Sequence, residues 1–171
     1  MNRGPILPAL IALVLLTAVM SVFLWSTRKN HLELTGDILK VRTHTIEQNN
    51  EESKPETYTI AALDFRVTNP STQPFQVKNV DVELVTKDGK VLEPAYFSEL
   101  DAMRMFEFYK VLGPKYNPTL VVRDKVDPGQ TLDRMLAVRF KATEQQVADR
   151  KALKLIVEEV DGQKSELIEK R

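Results

Sequence analysis

His31 and His44 are the only imidazoles in the chain, and it has no cysteine. Nucleophilic catalysis needs a Ser, Cys or Thr held beside a base, usually histidine. His31 follows an apolar segment and His44 sits in a strand-like stretch among charged neighbours, so both read as exposed or strand-edge residues. Thirteen positions separate them. Metal-binding pairs more often lie four residues apart on a helix, or are completed by cysteines or carboxylates, and neither condition holds. Three acidic pairs remain: Glu51 with Glu52, Glu99 with Asp101, and Glu158 with Glu159. The first lies in a wholly polar loop. The last lies in a strand, where successive side chains point to opposite faces. The six glycines occur singly, so no phosphate-cradling loop is present. These residues imply no catalytic centre, no metal site and no cofactor.

Charge is equally uninformative about polyanions. Lysine plus arginine number 24, as do aspartate plus glutamate, and no run of five like charges occurs. Nucleic-acid binding draws on a net basic face, so a nucleic-acid partner is not expected.

The elements that would position any site begin with an oily one. Ile6 to Trp25 are 20 residues without a charge. As a helix they would span about 30 Å, the thickness of a hydrocarbon core. Pro5 and Pro8 fall where a first helical turn tolerates proline. Trp25 sits where an indole favours headgroups, and Arg28 and Lys29 end the run. A cleaved signal peptide is the alternative, but its apolar core would be shorter and a small-residue cleavage site would follow. The expectation is a tail over 1–5, an uncleaved transmembrane anchor over 6–27 and a soluble domain over 28–171. Leu10, Leu13, Leu16, Phe23 and Trp25 would face lipid. A tail of this length usually stays cytoplasmic, which would export the domain, as a single-pass protein of the inner membrane facing the periplasm.

Within 28–171 the apolar period is mostly two, the signature of strands with one buried face. Leu32, Leu34, Ile38 and Val41 suggest an opening strand broken at Gly36, and residues 47–57 carry no apolar side chain and read as a loop or hairpin tip. Ile60 and Ala62, then Phe65 and Val67, change parity, as on a bulged strand. Phe75 to Thr86 alternates. Asp88-Gly89 is a hairpin signal, fitting a two-residue turn. Further strands are expected around Leu120–Val122, Leu136–Phe140, Leu153–Val157 and up to Ile168, with turns at Asp127-Pro128-Gly129 and Asp161-Gly162. Thr143 to Gln146 has capping-box spacing. Seven or eight short strands with regular turns predict a mainly β, immunoglobulin-like antiparallel β-sandwich.

One segment departs from that pattern. Over 97–112, Phe97, Leu100, Met103, Phe106 and Tyr109 recur every third position, with Ser98 placed as cap and Gly113-Pro114 as stop, which predicts an inserted helix. Between Tyr96 and Tyr116 lie six of the chain's 12 aromatic residues. So much apolar surface either plugs an open end of the sandwich or forms a docking surface built from Tyr96, Phe97, Met103, Met105, Phe106, Phe108, Tyr109 and Tyr116.

Val67-Thr68-Asn69-Pro70-Ser71, followed by Pro74-Phe75-Gln76-Val77, resembles the late-embryogenesis-abundant type 2 proteins and related bacterial extracytoplasmic immunoglobulin-like domains. Asp127-Pro128-Gly129-Gln130-Thr131 is similar to the turn before their penultimate strands. The resemblance implies a membrane-tethered sandwich used for binding or structure. Two roles follow from it and from the anchor. One is an accessory or scaffold subunit that binds other proteins of a membrane complex. The other is a module for a lipid or other apolar ligand, held between the sheets by Phe65, Val67, Val82, Leu84, Val138 and Phe140.

Overall fold

The computed structural model describes residues 6–28, 33–48, 55–160 and 162–170, and on the first helix the side chains of residues 10–24. That helix, α1 (Ile6–Arg28), is apolar on every face, with Leu13, Val14, Leu15 and Leu16 all exposed. It therefore finds no burial against the rest of this chain along its described length. Among the described residues no helix is long and apolar enough to cross a membrane; those 15 side chains of α1 cover about 22 Å. The helix expected over 6–27 is thus present, as Ile6–Arg28. Trp25, His31 and Leu32 have side chains outside the described set.

Nine strands follow among the described residues, one more than the upper sequence estimate: β1 (Thr35–Gln48), β2 (Glu56–Thr68), β3 (Phe75–Val85), β4 (Val91–Leu92), β5 (Ala95–Tyr96), β6 (Lys125–Val126), β7 (Thr131–Phe140), β8 (Ala152–Glu159) and β9 (Lys164–Ile168). Between β5 and β6 comes α2 (Glu99–Phe108), and between β7 and β8 a short α3 (Glu144–Ala148). The strands make two antiparallel sheets, ordered β1-β2-β7-β5 and β4-β3-β8-β9, with β6 also paired to β3. One apolar core lies between them. Leu63, Phe65, Val138 and Phe140 from the first sheet meet Val82, Leu84, Leu153 and Leu155 from the second. All six positions expected to line an inter-sheet cavity are fully buried in this cluster and packed in the core.

Several sequence expectations change here. β1 runs unbroken through Gly36, and its irregularity lies instead between Ile38 and Lys40, where Leu39 turns outward. β2 has no bulge against β7, because its register is continuous from Thr59 opposite Phe140 to Thr68 opposite Thr131. The parity change arises because β2 is buried on both faces. Ala61, Leu63, Phe65 and Val67 face the main core; Ile60 and Ala62 face a second cluster under α2. The expected strand at Leu120–Val122 is absent: Leu120 is buried, but Val121 and Val122 are exposed. The loop between β3 and β4 spans Thr86–Lys90 rather than two residues, closed by Thr86 N–H donating to the Lys90 carbonyl at 2.9 Å, with Gly89 at φ +85°. Residues 47–48 and 56–57, expected in a polar loop, extend β1 and β2, and 49–54 lie outside the described residues. The Thr143 capping box is present.

Candidate functional site

Segment 96–117 packs on the outer face of the first sheet and does not plug an end of it. Ser98 caps α2, its hydroxyl accepting from Asp101 N–H at 3.1 Å. The helix stops at Tyr109, and a 3-10 turn over Lys110–Leu112 ends at Gly113, whose φ of +72° favours glycine. So the helix begins two residues later than the expected 97–112. Its buried face is also different. Ala102, Met105 and Phe106, joined by Leu112, sit on Ile60, Ala62, Met135 and Ala137, with Phe97 and Tyr109 at the margin. Spacings of three and four select that row, as a 3.6-residue period requires. The three-residue spacing read from sequence mixes faces, and its members Leu100 and Met103 are exposed.

Of the eight aromatic and methionine residues expected to form one surface, Met105 and Phe106 are therefore core, and Phe97 and Tyr109 are half-buried. Tyr109 packs on His44 with ring centroids 4.9 Å apart, and Phe108 meets Tyr109 edge-on at 4.8 Å. That contact gives His44 a packing role. Tyr96 is a fastener between sheets: its hydroxyl donates to the Asp81 carboxylate and accepts from Val82 N–H at 2.9 Å. Burial first, and the Asp81 carboxylate second, push its phenol well above its ordinary range. Tyr96 and Tyr116 stay exposed, as do residues along the outside of α2 and its 3-10 turn: Leu100 (54%), Met103 (45%), Phe108 (77%) and Val111 (73%).

Sequence reading missed the group that holds this segment down. Arg42, on the outer face of β1, donates to the carbonyls of Leu112 (2.6 Å) and Pro114 (2.7 Å) and to Asp64 Oδ2 (2.8 Å). Phe106 and Tyr116 stack over its guanidinium at 4.9 and 5.1 Å. Asn117 donates to the other Asp64 oxygen at 3.1 Å. The Arg42 and Asp64 side chains are only 9% and 7% exposed, and this hub ties β1, β2 and the loop after α2 into one unit. Glu99 completes the clamp, accepting from Lys115 Nζ at 2.6 Å and Thr119 N–H at 3.2 Å. The Lys115 ammonium, and then the Thr119 donors, hold the Glu99 carboxyl below its usual range. The one legible signal was Asp64, a carboxylate in the otherwise apolar run Ile60–Phe65.

Beside α2, towards the far ends of β1 and β2, lies a groove of about 620 Å³. Ile46 and Ile60 form its floor, and Met105 and Phe108 one wall; Arg104 and Arg139 also line it. Neither arginine was singled out from sequence, because nothing in the spacing of residues 35 positions apart brings them together. No group of three metal-ligating side chains occurs among the described residues.

At the other end of the sheets, the two turn motifs quoted from sequence meet. Gly129 N–H donates to the Asn69 carbonyl at 2.8 Å, and Asn69 N–H to the Gln130 carbonyl at 3.0 Å. The buried Asn69 amide donates to the carbonyls of Gln73 and Val126, both at 2.8 Å, and its oxygen accepts from Ser71. These asparagine and glycine positions hold a corner of the core.

The fold so assembled is that of a mainly β protein with two antiparallel sheets and a helix laid on one outer face. The chain matches no family model and no curated protein. Among solved structures it is similar to a functionally unknown protein from Listeria monocytogenes EGD-e, at 12% identity and a TM-score of 0.48, covering 82% of this chain and 78% of that one. A conserved hypothetical protein from Bacillus anthracis is similar at 10% identity and a TM-score of 0.34, covering 80% and 98%.

Proposed function

We propose that this chain is a non-catalytic, membrane-anchored accessory or scaffold protein whose β domain binds a protein partner through the outer row of α2. In this reading α1 lodges in the bilayer of the cell membrane. The domain then stands on its outer side as an immunoglobulin-like sandwich of the type its Asn-Pro and Pro-Gly turns resemble. Support for the anchor comes from an apolar helix exposed on every described face, a state costly in water at about 25 cal/mol per Å² of apolar surface. Support for the docking role comes chiefly from one observation. α2 already buries one apolar face, yet Leu100, Met103, Phe108 and Val111 make a second one exposed to solvent. A helix needed only to cover the sheet has no use for that second face.

A photo-crosslinking residue introduced at Leu100 or Val111 in cell membranes tests this. The expected result is a discrete adduct of defined mass, lost when the neighbouring Met103 is replaced by Asp. Recovery of the uncrosslinked chain alone, at both positions, would overturn the docking role. Retention of α1 with the membranes after an alkaline wash tests the anchor separately.

A further inference from the structure

We infer that the groove beside α2 binds a monoanionic, single-chain amphiphile, such as a long-chain carboxylate, with its head at Arg104 and Arg139 and its tail along Ile46 and Ile60. The groove's volume of about 620 Å³ is that of a small-ligand site. Its lining is apolar at Ile46, Ile60, Met105 and Phe108, which calls for an apolar body. Charge then selects the head. Arg139 stands on the outer face of β7 with its guanidinium 5.2 Å over the Tyr58 ring, and Arg104 comes from α2. Neither forms an ion pair among the described residues, although nine acidic side chains of the domain are paired elsewhere. One carboxylate, Asp101, also lines the groove and accepts from the Ser98 hydroxyl at 2.7 Å. Two cations against one anion leave a single positive charge. That matches a carboxylate better than a phosphate monoester, which carries about 1.5 to 2 negative charges at neutral pH.

The site shares Phe108 with the docking row but is not lined by Leu100, Met103 or Val111, so variants at those three positions separate the two readings. The test uses the full-length chain held in amphipol and a dansylated undecanoate as fluorescent probe, displaced by oleate, oleyl alcohol or oleyl phosphate. Oleate should displace the probe at concentrations about tenfold lower than the alcohol, the worth of one charge-assisted contact. Arg104→Gln and Arg139→Gln should each weaken oleate about tenfold and leave the alcohol unchanged, and Arg139→Lys should restore most of the loss. Leu100→Ser, on the docking row, should change nothing. Should Arg139→Gln disturb the fold, Arg104→Gln decides, because that side chain is exposed on its helix. Equal displacement by alcohol and oleate, stronger displacement by oleyl phosphate, or unchanged oleate binding in Arg104→Gln would each overturn the assignment.

Discussion

Arg42 and Asp64 tie the segment after α2 to β1 and β2 on the outer face. Two ions so deeply buried are held only because each is also hydrogen-bonded: Arg42 to two carbonyls, Asp64 to Asn117. Removing one partner leaves the other charged, desolvated and alone. Arg42→Ala is therefore expected to destabilise the domain by about 3–5 kcal/mol, read as a shift in urea midpoint at constant slope. Arg42→Met combined with Asp64→Leu should cost clearly less than Arg42→Ala, because no buried charge is left behind. If the double variant is as unstable as the single one, the ion pair is not what fixes the segment. At this scale the sequence was half legible. Asp64 announces itself by interrupting Ile60–Phe65, but Arg42 looks like any charge on an alternating strand. Its other partners, Leu112 and Pro114, are backbone carbonyls about 70 positions away, and a carbonyl has no residue type to read. His44 was legible as a strand residue, though not as a half-buried partner for Tyr109.

β7 was legible only over Leu136–Phe140 of its Thr131–Phe140 span, and Met135 and Ala137 bury its second face under α2. β8, half-exposed on its outer face, alternates cleanly and was placed well. β2 did not, since α2 covers its second face and turns a period-two pattern into a continuous buried run. The bulge inferred there belongs to β1, where Leu39 is apolar but exposed and so blurs the alternation. Gly36 was taken for a break, and its role is close approach instead. A Cβ built on it would lie 1.9 Å from the Arg66 carbonyl oxygen, so β1 can pass β2 here only without a side chain. Gly36→Ala should displace backbone from backbone and cost about 1–3 kcal/mol or more, seen as lost amide protection at Thr35–Ile38. Normal protection there would mean that the strands separate freely. The clamp on α2 adds a pH dependence. Glu99 has its folded pKa lowered from the ordinary 4.5 by Lys115 and then Thr119. A depressed carboxyl stabilises above its unfolded pKa and loses that contribution as pH falls through the folded value. Acid below about 4.5 should thus loosen residues 115–119 from α2. Glu99→Gln should flatten that part of the stability profile while leaving neutral stability little changed, as suits a group so exposed. An identical acid limb in the variant would assign the effect to other carboxylates.

For the whole molecule, the decisive quantity in the proposed role is the distance between α1 and the domain. Four residues, 29–32, separate Arg28 from Glu33. Even fully extended, that connection reaches roughly 18 Å. The domain's first strand therefore begins close to wherever α1 ends, at the end that carries the Asn69 corner. A partner held in the same membrane meets the docking row at an effective concentration set by that tether and not by its bulk abundance. Effective concentration falls as about the −3/2 power of tether length once the tether is flexible. Inserting 16 Gly and Ser residues after Lys29 takes the tether from four residues to 20, and should cut crosslinking at Leu100 about tenfold while leaving the melting temperature unchanged. Crosslinking that survives the insertion undiminished would mean that the partner is bound by affinity alone, or reached from solution. The anchor would then serve only to retain the protein at the bilayer. The outcome also bears on why the function was the least legible part of the chain. An exposed helix row and a groove that gathers Arg104 and Arg139 are properties of arrangement. A sequence without cysteines, with two histidines and with balanced charge writes neither of them as a motif.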